Sequence, residues 1–178
     1  MLPYFYTLNK KIISKELIDK IRQTVFNNVD KFTAFSHKPG EYDGNNYITG
    51  EELYSLIPEV LELKKSFNLN TWAMLVMHKP NSTVIKHKDK KVGRDTVLMM
   101  PIHPTINYPS TYFWNQDKDN LITVCEFTDN NSVFFNTQEV HSLHNDNDEY
   151  RINLQMCFEE DIQTVVDMYE TGKLFKNN

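Results

Sequence analysis

A histidine and an aspartate, His87 and Asp89, stand one residue apart near the middle of the chain, a few residues before an apolar run. Residues i and i+2 of an extended strand project to the same side, so this imidazole and carboxylate could point at one ion. A nitrogen and oxygen pair suits a divalent first-row metal, but a third ligand must come from a distant strand. The alternative is a solvated turn, because Lys86, Lys88 and two further lysines surround the pair.

A second polar cluster, near the end of the chain, favours the metal site. His141 lies in a predicted strand, and Arg151 follows ten residues later in another, with the turn sequence Asn-Asp-Asn-Asp between them. Alternation places Arg151, Asn153, Gln155 and Cys157 on one side of the last strand and apolar residues on the other. An arginine that faces the inside of a barrel needs an anion, and its guanidinium group suits a carboxylate.

The elements that must position these residues can also be predicted. Short runs of β-branched and aromatic residues predict seven or eight strands: near 71–78, 83–88, 95–103, 110–115, 121–127, 132–136, 139–144 and 150–158. Successive strands without helices between them are typical of an antiparallel sandwich or barrel. Helical spacing predicts a helix capped by Ser14, another that begins at Thr49 with capping-box spacing and a kink at Pro58, and a last one that stops at Gly172.

The predicted fold class is therefore mostly β with appended helices, in a single domain over residues 1–178. We expect helical support and a candidate lid loop in 1–70, the barrel core in 71–158 and a C-terminal helix in 159–178. The candidate lid is the turn-rich segment 36–50.

Composition limits the cellular setting and the partners. The formal net charge of −5 disfavours a large electrostatic footprint on nucleic acid. Cys125 and Cys157 lie far apart among apolar neighbours, which predicts buried thiols rather than a disulfide framework and suits a reducing cytoplasm. No apolar run is long enough for a signal peptide or a membrane span, so we expect a cytoplasmic protein that does not enter a membrane. The oligomeric state is left open.

Taken together, these residues resemble the Fe(II)- and 2-oxoglutarate-dependent oxygenases. That family has a double-stranded β-helix, a jelly-roll or cupin-like barrel, with an H-x-D…H triad and a downstream arginine; its helices are expected to pack on the major sheet. The resemblance covers roughly residues 71–158. His87, Asp89 and His141 match the metal triad, and Arg151 matches the arginine that binds the distal carboxylate of 2-oxoglutarate. The stretch 87–102 also looks like small phage and bacterial members related to aspartyl and prolyl hydroxylases.

The resemblance implies a reaction and its cofactors. Three protein ligands on one face of an octahedral Fe(II) leave two positions for 2-oxoglutarate and one for O2. Oxidative decarboxylation of 2-oxoglutarate gives succinate and CO2 and usually ends in hydroxylation of a C–H bond. The expected substrate is a proline, aspartate or asparagine residue of a peptide, or a small metabolite.

The choice of the third ligand lies between two histidines. His141 and His144 project to opposite sides of one extended strand, so only one can face the metal. The ten-residue offset to Arg151 resembles the family's distal-histidine segment and favours His141, which leaves His144 at the rim or surface. Glu139 is a candidate acceptor for the second ring N–H of a ligand histidine.

Three further residues are candidates for binding the cosubstrate. The resemblance suggests that Arg94 contacts cosubstrate or substrate, but a surface ion pair with a neighbour such as Asp95 is an equal alternative. Tyr112 and Asn136 lie on predicted strands and could donate hydrogen bonds to the oxoacid. Both are also common as ordinary core and turn residues.

Other functions remain open from the residues alone. A cupin-like barrel could use the metal for isomerase or lyase chemistry, or could bind a ligand without catalysis. Such a barrel has no need for an inward arginine opposite the metal, so Arg151 discriminates against it. An AlkB-type nucleic-acid demethylase is suggested by Arg151 and Asn153 in an Arg-x-Asn pattern, but Cys157 replaces the second arginine of that motif.

Overall fold

The computed structural model describes residues 2–34, 45–89 and 94–176. Within these ranges the chain forms eleven β-strands and four α-helices. The strands are β1 Phe5–Thr7, β2 Thr33–Ala34, β3 Asn45–Thr49, β4 Thr71–His78, β5 Ser82–His87, β6 Thr96–His103, β7 Thr111–Trp114, β8 Leu121–Cys125, β9 Val133–Asn136, β10 His141–Asn145 and β11 Arg151–Phe158. The helices are α1 Lys15–Asn27, α2 Gly50–Leu56, α3 Pro58–Lys65 and α4 Ile162–Glu170.

The strands form two antiparallel sheets. The major sheet has seven strands in the order β1-β9-β6-β11-β4-β3-β2, and the minor sheet has four in the order β5-β10-β7-β8. Strand β11 lies at the centre of the major sheet, paired over its length with β4 on one side and β6 on the other. The predicted class, mostly β with appended helices, is confirmed.

The larger hydrophobic core lies between the helices and one face of the major sheet. Ile21 of α1, Leu53 of α2 and Ile162 of α4 are fully buried in the same cluster as the even-numbered residues of β11. Burial of such aliphatic side chains stabilises the fold by about 1.5–3 kcal/mol each. The predicted packing of the helices on the major sheet is confirmed, and the other face of β11 is left for polar residues.

The helix ends follow local sequence signals with one exception. The Ser14 hydroxyl accepts a hydrogen bond from the backbone N–H of Leu17 at 3.2 Å, which caps α1 as predicted. Pro58 is the first residue of α3 and separates it from α2. Thr49 precedes α2 as predicted, but its side chain accepts no capping hydrogen bond. Its hydroxyl is oriented toward β4 instead, where it donates to the carbonyl of Ala73 at 2.6 Å.

The segment 36–50 differs from its prediction. The sequence predicts turns throughout, whereas Asn45–Thr49 forms strand β3 and pairs with β4. Its two asparagines make it a weak strand former by propensity, but an available neighbouring strand overrides that preference. Residues 36–44, most of the candidate lid, lie outside the described residues.

The structure also shows the state of the two cysteines and the character of the helices. Cys125 and Cys157 are buried thiols, as predicted. None of the helices in the described ranges is long and apolar enough to cross a membrane.

Removal of the Phe158 ring is expected to destabilise the protein severely. Phe158 is fully buried and contacts Phe67 and Phe134 edge-on, with ring centroids 5.4 and 6.4 Å apart. Truncation to alanine leaves a cavity, so the free energy of unfolding should fall by about 3–5 kcal/mol in urea titrations. Phe26, which is 43% exposed, is the matched control, and an equal loss in Phe26→Ala would contradict the assignment of the core.

Candidate active site

The three predicted metal ligands come together where two strands of the minor sheet pair. His87 ends β5, Asp89 lies two residues beyond, and His141 begins β10 directly opposite His87. One ligand atom from each of the three lies within 4.8 Å of the other two. The imidazole centroids are 4.3 Å apart. The arrangement brings two nitrogens and one carboxylate oxygen close enough to share one ion.

Backbone carbonyls set the orientation of both imidazoles. Nδ1 of His87 lies 2.8 Å from the carbonyl oxygen of Ile85, and Nδ1 of His141 lies 2.9 Å from that of Glu139. A carbonyl only accepts, so each Nδ1 carries a proton, which leaves Nε2 as the atom through which each histidine can bind a metal. The expected partner Glu139 therefore acts through its backbone, while its side chain accepts from Gln116 at 2.9 Å.

Asp89 is held by its backbone and by a neighbouring cation. Its N–H donates to the carbonyl of Thr137 at 3.0 Å. Its Oδ1 lies 3.5 Å from Nε2 of His87, and its Oδ2 lies 3.3 Å from Nε of Arg94, an ion-pair distance without hydrogen-bond alignment. Burial raises the pKa of Asp89, but the Arg94 guanidinium and the two histidines outweigh it and hold the pKa well below its usual range. The carboxylate is thus ionised at neutral pH.

His141 is neutral at the same pH. Burial, together with the nearby His87, lowers the pKa of His141 to about 4, although Asp89 opposes the shift. A neutral imidazole and an ionised carboxylate are the protonation states in which these residues bind metals, so no proton has to be displaced from His141 first.

Acid should destabilise the metal-free protein through two buried histidines. His78 also has a pKa well below its usual value, because it is buried and lies near Arg151. The unfolded chain binds protons at these positions near the ordinary value of 6.5, whereas the folded protein does not until the pH approaches about 4 for His141. Above the unfolded pKa these two histidines therefore do not lower the free energy of unfolding. Below it, the free energy of unfolding falls with decreasing pH, by at most about 1.4 kcal/mol per pH unit for each histidine.

Urea titrations in EDTA between pH 7 and pH 4.5 measure this loss. The His141→Gln variant should lose less stability over the interval than the wild type, and His144→Gln should behave like the wild type. A free energy of unfolding that does not change between pH 7 and pH 5 would contradict the assignment.

A cavity of about 660 Å³ lies beside the triad, lined by residues of both sheets. Its lining includes the three predicted ligands together with Arg94, Asn136, Arg151 and Gln155. The volume lies within the range of small-molecule sites in proteins.

Arg151 lies buried against aromatic rings, with its side chain in the cavity wall. Only 2% of it is exposed, and its Cζ lies 4.6 Å from the ring centroid of Tyr108 and 5.8 Å from that of Phe127. One Nη donates weakly to the sulfur of Met99 at 3.3 Å, and Nε has no acceptor among the residues that the structure describes. Burial lowers the pKa of Arg151. No carboxylate in the described part of the chain forms an ion pair with it.

The other predicted cosubstrate residues divide between the cavity and the outside. Arg94 turns inward and donates to Oε1 of Gln155 at 2.7 Å, so it is not at the surface. Asn136 is buried and lines the cavity. Tyr112 is absent from the described cavity lining, because strand alternation turns Thr111 inward and Tyr112 to the outer side of β7.

Sequence reasoning did not single out two residues at this site. Tyr108 comes from the connection between β6 and β7, and only the fold places its ring on Arg151. The position of Gln155 could have been found, since alternation along β11 predicts it on the same side as Arg151.

His144, expected at the rim or surface, is exposed, and its Nδ1 lies 2.8 Å from the hydroxyl of Thr83.

Comparison with solved structures identifies the fold. The chain is similar to a prolyl hydroxylase from Trichoplax adhaerens in complex with a peptide fragment of the hypoxia inducible factor oxygen degradation domain, with a TM-score of 0.58 and 12% identity over 87% of this chain and 83% of that one. It is similar to a Pseudomonas putida prolyl-4-hydroxylase, with a TM-score of 0.56 and 8% identity over 86% and 91%. It is also similar to SnoN, a non-heme alpha ketoglutarate dependent epimerase from nogalamycin biosynthesis, with a TM-score of 0.56 and 11% identity over 89% and 78%.

These similarities confirm the predicted fold, a double-stranded β-helix. No protein-family model matches the sequence. No curated protein matches it either. At such low identity the similarity concerns the fold, and the argument for function rests on the residues of the site.

Proposed function

We propose that this protein is an Fe(II)- and 2-oxoglutarate-dependent dioxygenase. The observation that carries the proposal is Arg151, a buried cation without a carboxylate partner among the described residues, in the same cavity as a His-Asp-His triad. A metal site alone would equally suit a cupin-like isomerase or lyase. A buried guanidinium is costly unless an anion reaches it, and a dicarboxylic oxoacid bound at the metal supplies that anion.

The residues of the triad suit Fe(II). Two imidazole nitrogens and one carboxylate oxygen form the donor set of non-heme Fe(II) oxygenases, which leaves positions open for other ligands. When bound there, Fe(II) with 2-oxoglutarate and O2 would supply oxidative decarboxylation to succinate and CO2 and oxidation of a substrate C–H bond.

The chain's own residues would bind and shield the oxoacid. Arg151 would take the distal carboxylate in a bidentate pair. The rings of Tyr108 and Phe127 beside it would exclude water, which strengthens an ion pair by lowering the local dielectric constant. Asn136 remains a candidate donor to the oxoacid, and Arg94 adds positive charge beside the triad.

The proposed primary substrate is a proline, aspartate or asparagine residue of a peptide, or a small metabolite. One similar structure is a prolyl hydroxylase that holds a peptide fragment, which supports the peptide alternative. Another is an epimerase, so the product has to be identified and not assumed to be a hydroxylated one.

Succinate release tests the proposal. The protein is incubated with Fe(II), ascorbate, O2 and 2-oxoglutarate over panels of peptides, free amino acids and modified nucleotides. We expect succinate above background with at least one peptide or small molecule, and none from His141→Ala. Stimulation by modified nucleotides alone would favour the AlkB-type alternative, and the absence of any succinate would favour a cupin-like or non-catalytic barrel.

A further inference from the structure

A continuous series of polar contacts runs from the triad along the cavity side of β11. Nε of Arg94 lies 3.3 Å from Oδ2 of Asp89, and one Nη of Arg94 donates to Oε1 of Gln155 at 2.7 Å. Nε2 of Gln155 then donates to Oδ1 of Asn153 at 2.7 Å. Gln155 and Asn153 are 4% and 0% exposed, so water does not replace these bonds readily.

The donors and acceptors in this series of hydrogen bonds allow only one orientation of each side-chain amide. A guanidinium only donates, so Gln155 must present its oxygen to Arg94. Its amide nitrogen must then face Asn153, which has to accept through its oxygen. Within the described ranges, the Nδ2 of Asn153 has no acceptor in hydrogen-bond geometry, although Asn153 also interacts with the phenol of Tyr108. Gln155 therefore holds the guanidinium of Arg94 from the major sheet, while the backbone carbonyl of Arg94 accepts from the hydroxyl of Thr137.

The position of Arg94 determines which carboxylate oxygen faces the metal. Oδ1 of Asp89 points toward Nε2 of His87, while Oδ2 is directed at the guanidinium. A carboxylate whose second oxygen is paired with a cation is available to a metal through one oxygen only. Without Arg94 in place, Asp89 could bind through both oxygens and take a position that the oxoacid or O2 requires.

We propose that Gln155 is a positioning residue that holds Arg94 against Oδ2 of Asp89, so that Asp89 binds the metal through Oδ1 alone. The inference rests on the proposed function, because it requires a metal at the triad. If Gln155 were only a core residue, an apolar side chain of equal volume would serve as well.

The test compares two substitutions in the full-length protein loaded with Co(II). Gln155→Met keeps the volume and removes the acceptor for Arg94. Gln155→Glu keeps the acceptor, and the Asn153 amide can turn so that Nδ2 donates to the new carboxylate. We expect Co(II) affinity, measured by calorimetry, to fall about tenfold in Gln155→Met, with a changed visible absorption spectrum of bound Co(II). Gln155→Glu should restore both properties.

Two controls make the result specific. Gln155→Met should lower the melting temperature of the metal-free protein in EDTA, because it leaves two buried partners without a hydrogen bond. Co(II) binding is therefore compared at a temperature where the metal-free variant is fully folded, which separates positioning from general destabilisation. Gln163→Met on α4, a surface position bonded to Asp167, should leave Co(II) binding unchanged. Should Gln155→Met fail to fold, Gln155→Asn replaces it, because its shorter side chain does not reach Arg94.

Wild-type affinity and spectrum in folded Gln155→Met would overturn the inference and leave the proposed function intact. Loss of Co(II) binding in Gln155→Glu as severe as in Gln155→Met would also overturn it, because the acceptor would then have no effect. Failure of the wild type to bind Co(II) would overturn both the inference and the proposed function.

Discussion

Replacement of Arg151 by methionine is expected to abolish binding of 2-oxoglutarate while leaving the metal-free protein at least as stable as the wild type. The guanidinium is buried among Tyr108, Phe127 and Met99, and no ion pair to it is seen in the described ranges. Exchange of a buried charged group for a hydrophobic one of similar volume is often neutral or stabilising by about 1–4 kcal/mol. Loss of a buried ion pair to the cosubstrate should cost about 3–5 kcal/mol, or at least two orders of magnitude in affinity.

Calorimetry with Mn(II)-loaded protein measures 2-oxoglutarate affinity without turnover, and urea titration measures stability. Arg22→Met is the matched control, because Arg22 lies on α1, paired with Asp19 and away from the cavity. Unchanged 2-oxoglutarate affinity in Arg151→Met would show that Arg151 does not bind the oxoacid. A folded variant several kcal/mol less stable than the wild type would show that Arg151 has a structural partner.

Replacement of His141 by alanine is expected to abolish metal binding, whereas replacement of His144 should not. The two histidines lie three residues apart on β10, but His141 faces His87 across the strand pair and His144 is exposed beside Thr83. Loss of a residue that only supports a metal ligand weakens metal binding about 10- to 100-fold. Loss of a ligand itself should therefore weaken metal binding by at least about 100-fold.

Fe(II) or Co(II) titration of the two alanine variants gives the comparison, with circular dichroism as the check on folding. Weak binding in His144→Ala with normal binding in His141→Ala would reverse the assignment of the third ligand. Normal binding in both would place the metal elsewhere.

Strands with strong local patterns were predictable, and the pairing of a weak one was not. All eight predicted strands begin within two residues of their observed starts, and β11 is one of them. Strand β3 was missed because Asn45–Thr49 has little strand propensity and forms only against β4. The capping box at Thr49 failed for a related reason, since its hydroxyl finds a partner on β4.

At the site, too, residues with a local sequence pattern could be predicted, whereas a residue placed by a distant contact could not. His87, Asp89, His141 and Arg151 could be selected from residue type, spacing and a family resemblance, and the structure places all four around one cavity. The direction of Arg94 could not be predicted, because it depends on Gln155, which lies 61 residues away in the sequence. No local pattern indicates such a contact.

Anaerobic addition of Fe(II) and then 2-oxoglutarate to the metal-free protein tests the central claim most directly. Chelation of Fe(II) by the oxoacid should produce a visible charge-transfer band that is absent with either component alone and is lost in Arg151→Met. Absence of the band in folded wild-type protein at saturating concentrations of both components would contradict the proposed function.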